Sequence, residues 1–148
     1  MQPIDPNQPN IALRYRTLLT LWFAMLMSVV MYLVFIEIAK IRFASAATSG
    51  NQKLSLLLIC LSLLPMSLSF LVKQSMLANA IEQQKLQSVQ PAYVVAWALC
   101  EVATLLGLFL HFALGSRYYY VAFVVGGLGM LLHFPQKKHL LEASSQEF

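Results

Sequence analysis

Glu101 stands in the middle of an apolar run, Pro91 to Gly115, that is long enough to cross a membrane. A carboxylate near a bilayer centre costs roughly 3 kcal/mol or more, so such residues are rare and default to functional candidates. The chemistry open to it is reversible binding of a proton or ion. On a helix, Trp97, Glu101, Thr104, Leu108, His111 and Gly115 share about one third of the circumference, a stripe expected to face protein. Matching depths along the other apolar runs puts Ser28, Leu64–Ser67 and Gly126–Gly129 at the level of Glu101. No Lys or Arg shares that depth, so the neutral acid is favoured there. It would donate to a serine or to the carbonyl of Leu61, which Pro65 frees. Ser62, Ser67, Ser69, Thr104 and His111 are the expected supporting residues, and Gly126, Gly127 and Gly129 the expected helix-contact residues.

His111 has the chemistry to ligate a haem or chlorophyll metal. Solvation at a membrane interface is the simpler expectation, and His133 falls near the opposite face, so the two cannot clasp one metal. No cofactor and no metal is expected. Cys60 and Cys100 both lie inside apolar runs and read as packing residues rather than as a disulfide.

The elements that position these groups follow from composition. Of 148 residues, 59% are hydrophobic and 11% charged, and the mean hydropathy is +0.67. That balance indicates a membrane protein. Four nearly uncharged stretches, Thr17–Ile38, Leu54–Val72, Ala92–Leu114 and Tyr118–Phe134, predict four spans, since a crossing needs about 20 residues. Helices are required because lipid leaves backbone groups without partners and the stretches lack a barrel strand's alternation. The expected fold is an all-α integral membrane protein: one domain of four transmembrane helices in an antiparallel up-down bundle, with flexible tails at 1–13 and 140–148. The prolines of Met1–Asn10 and the length of the first apolar run argue against a cleaved signal peptide.

With four crossings both ends share a side. That side carries Arg14, Arg16, Lys73, Lys85, Lys137 and Lys138; the other carries Lys40, Arg42, Lys53 and Arg117. The positive-inside rule then places both termini in the cytoplasm, in a plasma or bacterial inner membrane. Glu37 and Lys40 are spaced for a local ion pair. Ser55, Ser62 and Ser69 repeat at heptad intervals and mark one face of the second span. Lys137, Lys138 and His139 form a basic cluster suited to anionic lipid.

The segment Glu101-Val-Ala-Thr-Leu-Leu-Gly107-Leu108 resembles the carboxylate helix of rotary ATPase proteolipids, the c subunits of ATP synthases and the vacuolar-type 16-kDa proteolipids. The polar stretch Glu82-Gln83-Gln84 resembles their cytoplasmic loop. The resemblance implies that Glu101 carries a proton or sodium ion. The chain departs from that pattern in having no glycine in Leu54–Val72 and in placing its carboxylate in the third span.

Nothing in the sequence joins a nucleophile to a base or forms a phosphate loop, so no enzyme is expected. A net charge of +4 scattered over loop ends gives no nucleic-acid surface. The expected function is a small non-enzymatic integral membrane subunit or accessory factor of a larger complex. The alternative is a proton-handling proteolipid-like protein. Expected partners are other integral membrane subunits and the lipid bilayer, with homo-oligomers allowed.

Overall fold

The structure, a computed structural model, describes residues 11–42, 52–83 and 85–144. Those residues are helical with short connections: α1 (Ile11–Arg42), α2 (Gln52–Glu82), α3 (Leu86–Leu114), α4 (Tyr119–Leu132) and α5 (Lys137–Ser144), with no strand among them. The first three are long and apolar enough to cross a membrane. The fourth is apolar but has 14 residues, a rise of about 21 Å. It stops before Pro135, whose ring disfavours helical backbone at Phe134.

α3 is the central helix. Ala92, Tyr93, Ala96, Trp97, Cys100, Ala103, Thr104, Gly107 and Leu110 are all buried, a stripe at helical spacing. Of its most apolar stretch 44% is buried, against 17% for α2 and 11% for α1, so α1 is the peripheral helix. α2 and α4 flank α3 more closely than α1 does. The outward faces are covered with Leu, Val, Met and Phe, including Met31, Phe35, Leu64, Leu71, Phe109 and Leu132. The serine heptad of α2 points inward: Ser55, Ser62 and Ser69 are its buried residues on the apolar stretch.

α3 and α4 approach closely because glycine occupies the contact. A Cβ at Gly126 would lie 2.5 Å from Thr104 Cγ2 and 2.7 Å from the Cys100 carbonyl oxygen; one at Gly129 would lie 2.8 Å from Cys100 Sγ. Gly107 does the same from the α3 side, 2.8 Å from the Phe123 ring. Gly127 corrects the expectation: a Cβ there would meet nothing within 4 Å, because it is turned away from α3. The turn after α3 uses Gly115 at φ 57°, with its N–H on His111 O and the Ser116 N–H on Leu110 O, a left-handed helix end that suits glycine.

The tail boundaries also shift. Residues 11–13, expected in the N-terminal tail, begin α1, and residues 140–144, expected in the C-terminal tail, form most of α5. α5 is held because Leu140 and Ala143 bury against the bundle while Lys137 and Lys138 stay exposed. Residues 1–10 and 145–148 lie outside the described residues.

Candidate functional site

Glu101 is near the midpoint of α3, and its carboxyl meets α1. Oε1 accepts from Ser28 Oγ and from Tyr32 OH, both at 2.8 Å. Ser28 and Tyr32 are one helical turn apart, so one face of α1 supplies both donors. The side chain is half-buried, and Oε2 takes no hydrogen bond from the described residues. The adjoining surface is apolar: Met27, Met31, Phe35, Val102 and Leu105 are exposed.

Proton bookkeeping at this site admits two charge states without moving a heavy atom. Ser28 Oγ also lies 2.7 Å from the Met25 carbonyl, and its single hydrogen serves one acceptor at a time. With the carboxylate ionised, Ser28 and Tyr32 both donate to Oε1. With the acid neutral and its proton on Oε1, Glu101 donates to Ser28, Ser28 donates to Met25, and Tyr32 still donates to Oε1. Both arrangements satisfy every hydroxyl.

The depth-matched Ser28 is therefore at the site, while most of the expected supporting residues are elsewhere. Ser62, Ser67 and Ser69 bond carbonyls of their own helix, at Ile59, Leu63 and Met66. That local alternative is always in reach of a helical serine, and it takes up their only proton. Thr104 bonds the backbone carbonyl of Glu101 at 2.8 Å rather than its carboxyl. His111 sits at the end of the bundle where α3 turns into α4, its ring 4.9 Å from those of Phe112 and Tyr119. Tyr119 OH there accepts from Lys40 Nζ at 2.6 Å, and Lys40 pairs with Glu37 at the same distance. Tyr32 is not apparent from spacing alone, because its position at the same level as Glu101 depends on how α1 tilts across α3.

The opposite end of the bundle holds a second polar group. Carbonyls at the end of α4 lack helical partners. Trp22 Nε1 donates to Met130 O and Trp97 Nε1 to His133 O, each at 3.0 Å. His133 is fully buried, with Nε2 3.0 Å from Ser69 Oγ and Nδ1 without a hydrogen-bond partner among the described residues. Ser69 Oγ also lies 2.6 Å from Met66 O, and its single hydrogen serves that carbonyl when Nε2 carries the imidazole proton or serves Nε2 when Nε2 is bare. Nearby, Tyr93 OH contacts His139 Nδ1 at 2.6 Å and accepts from the Gln136 N–H at 3.1 Å. Burial, then the charge of Lys73, holds His139 below the ordinary imidazole range, while Glu142 pulls weakly the other way. Among the described residues no three His, Cys, Asp or Glu side chains gather as a metal-ligand set.

Fold and site together define an all-helical protein with three helices suited to a membrane and a half-open carboxyl midway along the central one. Comparison with known proteins adds no relative: no family model, no curated protein and no solved structure matches the chain.

Proposed function

We propose that the protein is a small, non-enzymatic integral membrane subunit or accessory factor of a larger membrane complex. The observation that supports this reading is the open side of Glu101. A carboxyl with one oxygen satisfied and the other without a partner among the described residues, on an apolar surface, leaves a polar demand that lipid cannot meet. A donor from a neighbouring membrane subunit meets it. The lightly buried α1 and α2 present broad apolar faces on which such a neighbour would pack.

In this reading the chain crosses four times as an antiparallel up-down bundle, with both termini cytoplasmic. α4 falls short of about 30 Å of hydrocarbon and is accommodated by local thinning. Exposed Tyr118 and Tyr120 at one end and Phe134 at the other mark its interfaces. Purification from native membranes in mild detergent tests the proposal. The expected result is a stable co-purifying membrane partner; a chain that always runs alone would overturn it.

The second reading, a proton-handling protein related in style to the proteolipids, is favoured by the two hydrogen-bond arrangements open to Glu101. A hydrophobic carbodiimide that attacks protonated carboxyls should then label Glu101 in a pH-dependent manner. Absence of labelling in native membranes, with growth and transport unaffected by Glu101→Gln, would rule this reading out.

A further inference from the structure

The inner-end lysines divide into two kinds. Lys138 pairs with Glu142 at 3.4 Å, and Lys85 donates to Gln83 at 3.0 Å. Lys73 and Lys137 instead rest on tyrosine faces: Lys73 Nζ is 4.4 Å from the Tyr93 ring centre and Lys137 Nζ 4.9 Å from that of Tyr15. Neither has a carboxylate or a hydrogen-bond acceptor among the described residues. A ring face attracts a cation but uses none of the three N–H donors of an ammonium. Lys73 is half-buried, which makes a charge without a counterion costlier than at the open surface. The two cations come from α2 and α5, and their rings from α3 and α1. Tyr15 packs against the core that holds Tyr93, Leu140 and Ala143, and Tyr93 is bonded to His139 of α5. Four helices thus bring two unsatisfied cations to one end of the bundle.

We infer that Lys73 and Lys137, aligned by Tyr93 and Tyr15, form a binding site for the phosphate of an anionic membrane lipid. Charge complementarity and position select the occupant. The site lies where α1 begins and α5 docks, at the end of helices whose outer faces are apolar, so a ligand with a phosphate head and acyl tails matches both surfaces. Each ammonium keeps three N–H donors that its ring face leaves free, and the oxygens of a phosphate accept such donors. The inference rests on the membrane-spanning reading and is independent of any larger complex.

Native mass spectrometry of the full chain, released from micelles with equal phosphatidylglycerol and phosphatidylcholine, tests the site. Phosphatidylglycerol should be retained preferentially, and each lysine removed, as Lys73→Gln or Lys137→Gln, should weaken retention about fivefold. Arg117→Gln, one charge fewer at the far end, should leave it unchanged. Lys137→Glu, at an exposed position of α5, reverses a charge without entering the core and should abolish the preference. Equal retention of the two lipids, or an equal loss in Arg117→Gln, would overturn the inference. So would displacement of the lipid by millimolar inorganic phosphate, which would make free phosphate the ligand. A chain that stays in micelles yet shows no lipid preference refutes this site alone and leaves the membrane reading standing.

Discussion

At Glu101 the decisive feature is that both donors come from α1, the helix least buried in the bundle. Removing them together, Ser28→Ala with Tyr32→Phe, leaves a carboxyl with no hydrogen-bond partner among the described residues. The expected cost is about 1–3 kcal/mol, read as a lower unfolding temperature in detergent. Glu101→Gln should cost less, because an amide still accepts from Tyr32 and can donate to Ser28. Ser28 was legible in the sequence because equal depth along two helices is a property of spacing alone. Tyr32 was not, since helix tilt decides which turn of α1 meets α3. The serines of α2 were legible as an inward face but not as isolated from Glu101. Their hydroxyls close on their own backbone, an outcome that residue type permits and packing selects.

Among the elements, the α3–α4 contact makes a sharp discrimination between adjacent glycines. Gly126→Val should destabilise the bundle by about 1–3 kcal/mol, since the new side chain meets the Cys100 backbone as well as Thr104. Gly127→Val should change the unfolding temperature little, because that position opens away from the protein. The triplet of glycines was readable as a packing signal, but which two face α3 follows from the rotation of α4. Residues 140–144 of α5 fall in the expected tail because so short a helix gives a weak periodic signal, yet burial of Leu140 and Ala143 holds them. His139 makes that docking pH-sensitive. Its folded-state value lies below its unfolded one, so the unfolded segment binds more protons. Its contribution is complete above about pH 6.5 and is lost as the pH falls further. Amide protection factors over 137–144, corrected for the intrinsic pH dependence of exchange, should therefore fall below that pH, and His139→Gln should flatten the dependence.

For the whole molecule, helical class and apolar character were legible because composition and the length of uncharged runs settle both. The arrangement around a central α3 was not, since four apolar runs of similar length give no order of burial; that order comes from where Ala, Ser and Gly let backbones approach. The comparisons offer no relative to lean on, so the functional proposal stands on the half-open carboxyl and the thinly buried outer helices. Its most direct test is the mass of the particle extracted gently from native membranes. For a 16.6 kDa chain, the expected result is a larger complex holding another membrane protein in fixed ratio, with contacts that cross-link to the Glu101 face of α1 and α3. A uniform monomeric particle, with no cross-link to that face, would contradict it.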